Sequence, residues 1–110
     1  MTKYNIKTVD VHYLKNMMET QGNICLIDVR EKDEWEQARI PGAIHIPKDE
    51  ITSNIGTFVL DKSQTIYLHC RGGVRSIYAA QSLVDAGYEE VYSVDGGIIE
   101  WTMFGYPIKK

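Results

Sequence analysis

The chain has 110 residues, 44% of them apolar, which suits one compact core. Its 12 basic and 15 acidic residues leave a net charge of −3, so no global attraction draws it to nucleic acid or to an anionic membrane. No run approaches the roughly 20 apolar residues that span a bilayer, and the opening MTKYNIKTVD lacks the apolar stretch of a signal peptide, so the expectation is one cytoplasmic domain over residues 1–110.

A short strand is predicted around residues 4–6. A helix over 9–20 follows, with Val11, Leu14 and Met18 on one face and Gly22 as its stop. ICLIDV, residues 24–29, shows little alternation, as expected of a strand buried on both faces of a parallel sheet. The acidic EKDEWEQA, 31–38, reads as a short helix whose first-turn carboxylates complement the helix dipole. AIHI, 43–46, is a strand bracketed by Pro41-Gly42 and Pro47, and a helix over 48–55 carries Ile51 and Ile55 on its inner face.

TIYLH, 65–69, is a third buried strand and runs directly into Cys70. Ile77, Ala80, Leu83 and Val84 then recur at helical spacing until Gly87. A last strand at 91–94 meets Asp95-Gly96-Gly97, and a helix over 98–104 ends the pattern. Strands alternating with helices imply an α/β fold, a five-stranded parallel sheet with helices on both faces. Ligands bind such sheets at the carboxyl ends of the strands, where Arg30, Cys70 and Gly96-Gly97 fall.

Cys25 and Cys70 lie far apart in sequence without metal-site or Cys-x-x-Cys spacing, so both are expected as free thiols. Cys25, inside an apolar run, reads as a small buried hydrophobe. Cys70 opens CRGGVRS, residues 70–76, and core packing gives no reason for two glycines and two arginines directly after it. Gly72 and Gly73 can turn consecutive N–H groups inward as an anion nest, and the next helix aims its N-terminal dipole at the same spot. Arg71 and Arg75 add positive charge. Such surroundings lower a cysteine pKa from about 8.5 to roughly 3.5–7.5, giving a nucleophilic thiolate without a histidine base. The four arginines (Arg30, Arg39, Arg71, Arg75) all lie in segments assigned to strand ends, which hints at an anionic substrate.

Three separated motifs share an order: LIDVREKDEWEQARIPGAIHIP at 26–47, CRGGVRS at 70–76 and GGIIEWTMFGYP at 96–107. On these segments the chain resembles the rhodanese family of sulfurtransferases over nearly its whole length. The resemblance implies the rhodanese-like fold and a two-step exchange through a Cys70 persulfide, with the amides of Arg71, Gly72, Gly73, Val74, Arg75 and Ser76 holding the negative charge. Arg71 and Arg75 match the basic second and sixth loop positions of the thiosulfate-using branch. The implied partners are a sulfur donor, either a small anion such as thiosulfate or another persulfide-type donor such as a protein persulfide, and a thiol, protein or cyanide acceptor, with no cofactor, no metal, no nucleic acid and no membrane, and a monomer or weak dimer as the state.

Asp28 and Arg30 match the early motif, either lining the cleft or forming an ion pair that braces the loops. Where many members have Gly-His, this chain has Ala38-Arg39, which is expected to add charge near the cleft. Ile98 stands where an aromatic residue is frequent, implying a smaller cleft wall. His12, His45 and His69 lack triad or metal spacing and read as packing or surface residues, and Trp35 and Trp101 as core anchors. Two other functions fit parts of the pattern. A phosphatase or arsenate reductase places five residues between cysteine and arginine, against four between Cys70 and Arg75. A non-catalytic binding module commonly lacks the cysteine that this chain keeps.

Overall fold

The computed structural model describes residues 5–110. Its elements in chain order are β1 (Lys7–Val9), α1 (Val11–Gln21), β2 (Cys25–Asp28), α2 (Lys32–Gln37), β3 (Ile44–His45), a 3-10 turn (Lys48–Glu50) entering α3 (Ile51–Phe58), β4 (Thr65–His69), α4 (Val74–Asp85), β5 (Glu90–Val94) and α5 (Gly97–Met103). The strands form one sheet in the order β1-β5-β4-β2-β3, with every pair parallel. All five carboxyl ends therefore share one edge. Among the described residues no helix is long and apolar enough to cross a membrane.

Successive strand residues face opposite sides of the sheet, and this builds two cores. Ile27, Ile66, Leu68 and Val91 pack with Ile51, Ile55, Ala79, Ala80 and Leu83 of α3 and α4. Leu26, Tyr67 and Val94 pack on the other side with Val11, Leu14, Ile98 and Trp101 of α1 and α5. Leu14, Ile27, Ile66, Leu68, Leu83 and Trp101 are all fully buried, each apolar side chain contributing about 1.5–3 kcal/mol of transfer free energy.

Local chemistry sets the ends of the helices. The Asp10 carboxylate caps α1 by accepting the Tyr13 N–H at 2.8 Å, and Gly22 follows the helix at φ 77°. Glu31 and Glu34 form a reciprocal capping box on α2, more specific than the dipole argument alone.

Several sequence expectations shift. The first strand is Lys7–Val9, and the expected start at Tyr4 lies outside the described residues. At this sheet edge the side chains are mostly exposed, so pairing of Lys7 with Tyr92 and Val9 with Val94 defines the strand where apolar patterning does not. Val84 is 42% exposed, because Ser76, Ala79, Ala80 and Leu83 form the inner stripe of α4 and Val84 lies about 100° around the helix from Leu83. Trp101 is a core anchor, whereas Trp35 is only half-buried: it stacks on His45 at 4.9 Å, with the Arg39 guanidinium 4.9 Å from its ring centre.

Candidate active site

Parallel pairing sets Asp28 beside His69 at the ends of β2 and β4, and Cys70 is the next residue. Its side chain is 1% exposed, so the site is more enclosed than the small size of the domain suggests. The Gly73 N–H donates to Cys70 Sγ at 3.1 Å. Gly73 is also the N-cap of α4, at φ 113°, in the left-handed region that glycine enters freely. Gly72 does not adopt a positive φ, so one glycine makes the turn that two were expected to share. Behind the sulfur, the Cys70 thiol donates to Ser76 Oγ at 3.5 Å, and Ser76 Oγ lies 2.7 Å from Ser93 Oγ of β5.

The Gly96-Gly97 turn clasps this loop. The Ile98 and Ile99 N–H groups donate to the carbonyls of Cys70 and Arg71 at 3.0 and 3.1 Å. A Cβ on Gly97 would stand 2.4 Å from Arg71 O and 2.6 Å from Cys70 O, so only glycine admits this approach.

The arginines divide. Arg71 lines a cleft of about 340 Å³ with Arg30, Glu34, Gln37, Ala38 and Ile98. Arg75 is engaged by Glu34 through two parallel hydrogen bonds of 2.7 and 3.0 Å. The Arg75 hydrogen bond is the main cause that holds the Glu34 carboxyl at about 2, and the Arg75 pKa is raised in return. Arg30 donates to Asp28 through Nε and Nη2 and to Ala38 O at 2.6 Å, with Asp28 fully buried and Arg30 5% exposed. Asp28 and Arg30 thus form a buried ion pair beneath the cleft. Arg39 is elsewhere, correcting the expected charge near the cleft. Its backbone pairs with Lys109 and its guanidinium donates to Trp35 O, beside a different cavity lined by Lys32, Trp35, His45 and Pro47.

The histidines differ in burial: His12 is exposed, His45 half-buried and His69 in the core. His12 Nδ1 lies 2.7 Å from Tyr106 Oη and His45 Nε2 2.8 Å from Arg30 O. His69 is fully buried. Desolvation lowers its pKa despite Asp28, which keeps the ring neutral. Its Nε2 stands 3.5 Å from Asp28 Oδ2 without hydrogen-bond alignment, and Nδ1 lies 3.2 Å from Cys70 O rather than from the sulfur. Among the described residues no three His, Cys, Asp or Glu side chains gather as a metal site.

Three neighbours of the loop escape sequence reasoning: Glu34, Ser93 and the close contact at Gly97. Ser93 carried a faint signal, a small polar residue between the larger side chains of the strand VYSV. A buried sulfur that accepts a helix-terminal N–H, next in sequence to an arginine that lines a cleft, is equipped for nucleophilic attack on an anionic compound.

A family model described as Rhodanese-like domain matches residues 10–104. The chain is 35% identical over 94 residues to the probable adenylyltransferase/sulfurtransferase MoeZ of Mycobacterium tuberculosis, an alignment covering 86% of this chain and 24% of MoeZ. It is 35% identical over 101 residues to the thiosulfate sulfurtransferase GlpE of Vibrio cholerae, covering 92% of each. The chain thus spans about a quarter of MoeZ and nearly all of GlpE. Its fold matches the crystal structure of a rhodanese-like domain protein from Staphylococcus aureus with a TM-score of 0.82 at 32% identity, covering 96% of this chain and 100% of that one. Sequence, sheet order and family match agree over most of the chain, which belongs to the rhodanese-like sulfurtransferase family.

Proposed function

We propose that Cys70 carries sulfane sulfur as a persulfide, taken from thiosulfate or a related small anion and passed to a thiol, protein or cyanide acceptor. The observation that supports this most directly is Cys70 Sγ accepting the Gly73 N–H at the N-terminus of α4. In the first step the Cys70 thiolate attacks the outer sulfur of thiosulfate. The new S–S bond forms as the old one breaks, and sulfite leaves with the bonding electron pair. In the second step the acceptor attacks the outer sulfur and the electron pair returns to Cys70. Arg71 draws the anionic donor into the cleft, while Asp28 and Arg30 brace its floor.

GlpE is named for thiosulfate, and its match over nearly the full length supports that donor class here. Arg75, tied to Glu34, does not close a ring around a tetrahedral oxyanion, which argues against phosphate-ester hydrolysis. Intact mass of the reduced protein before and after thiosulfate tests the reading. One added sulfur, removed by cyanide as thiocyanate and absent only in Cys70→Ser, is the expected result. Equal sulfur uptake by Cys70→Ser and wild type, with loss in Cys25→Ser, overturns it.

A further inference from the structure

We propose that Ser93, on the strand beside the Cys70 loop, is a positioning residue for sulfur release, acting through Ser76 on the Cys70 sulfur. The inference rests on the persulfide reading above and concerns a residue outside the loop. Ser76 and Ser93 are 0% and 1% exposed, and both face the apolar core between the sheet and α4. Ser76 Oγ stands between the other two atoms, 3.5 Å from Cys70 Sγ and 2.7 Å from Ser93 Oγ.

Each hydroxyl has one proton to give and lone pairs to receive, so the chain of three can run in either direction. With a neutral thiol, Cys70 donates to Ser76 and Ser76 donates to Ser93. A thiolate has no proton and calls for donors. Ser93 then donates to Ser76, and Ser76 turns its proton to the sulfur beside the Gly73 N–H. Without Ser93, the Ser76 hydroxyl, in the first turn of α4, is free to bond back to a carbonyl three or four residues earlier, at Gly73 or Gly72, as helical serines do.

The two half-reactions use this chain unequally. During loading the thiolate attacks, and a stabilised thiolate is also a weaker nucleophile, so gain and loss largely offset. During discharge the S–S bond breaks, the outer sulfur departs to the acceptor, and the electron pair collapses onto Cys70 Sγ. Donors aimed at the sulfur favour that leaving group directly. Ser93 therefore matters more for giving sulfur away than for taking it up.

The test compares Ser93→Thr, which keeps a hydroxyl, with the near-isosteric Ser93→Val, which removes it, so that steric change in the β-strand is shared by both. Each protein is loaded with thiosulfate, or with inorganic polysulfide where thiosulfate fails, and discharged in a single turnover with cyanide. The expected result is discharge about tenfold slower in Val than in Thr, the worth of one typical hydrogen bond, with loading changed less than about threefold. Adding Ser76→Ala should abolish the difference, because the effect travels through Ser76. Ser93→Ala provides the same comparison with wild type in a smaller side chain. Equal discharge by the Thr and Val variants overturns the role of Ser93 alone. A wild-type protein that accepts sulfur from neither donor overturns this inference together with the persulfide reading.

Discussion

Arg75 holds Glu34 across the gap between α4 and α2, Nη1 to Oε1 at 2.7 Å and Nη2 to Oε2 at 3.0 Å. The pair joins residues 41 positions apart and fixes the acidic helix against the cysteine loop. It also redirects an arginine that the loop sequence alone would aim at the substrate.

The Glu34 carboxyl is lowered from 4.5 to about 2, so the folded state binds this proton more weakly than the unfolded chain does. The resulting stability is present above pH 4.5 and is lost as pH falls through about 2. Glu34 is 26% exposed and Arg75 31%, so solvent screening limits the contribution to about 1–2 kcal/mol. In urea unfolding, Glu34→Gln should be less stable than wild type by that amount at pH 7, and the gap should narrow steadily below pH 4. A gap unchanged between pH 7 and pH 3 would place the stabilisation elsewhere.

Gly97→Ala tests the clasp on the loop. The new Cβ meets two backbone oxygens at 2.4 and 2.6 Å, and neither can move without distorting the cysteine loop. The expected cost is about 3 kcal/mol or more, from left-handed strain and overpacking together, with sulfur transfer lost in the fraction that folds. Gly105→Ala has a similar φ of 75° but open space around it and should cost only about 1–2 kcal/mol with activity kept. Thermal unfolding and turnover of the two variants check this.

Asp28→Asn leaves the Arg30 guanidinium buried with its charge uncompensated. Breaking such a pair typically costs about 3–5 kcal/mol. The double change Asp28→Leu with Arg30→Met removes both charges and should cost far less than the sum of the single changes, measured by chemical denaturation. Additive costs would show that the pair is not an energetic unit.

Arg71→Ala should raise KM for thiosulfate about tenfold with a smaller change in kcat, since it removes a charged contact that forms before the chemistry. Arg39→Ala should leave both constants unchanged, because Arg39 lies over Trp35 beside the other cavity. Steady-state kinetics on the two variants separate these positions. Equal effects would return Arg39 to the cleft.

Much of the molecule was legible in its sequence because short-range physics writes it there. Short apolar runs such as ICLIDV and TIYLH, bounded by turns and charge, read as central strands, and a glycine-rich turn between a buried strand and an amphipathic helix places Cys70 at the strand-end edge. The elements, the parallel sheet and the place of Cys70 follow from such local patterns. The partners of the charged groups do not. Arg75 finds Glu34, Ser76 finds Ser93, and Gly97 meets Arg71 only when helices and strands distant in sequence are packed together. Hydrogen bonds are decided by ångström-scale distances that residue spacing does not encode, so the sequence determined where the Cys70 loop stands and the tertiary structure decided which side chains surround it.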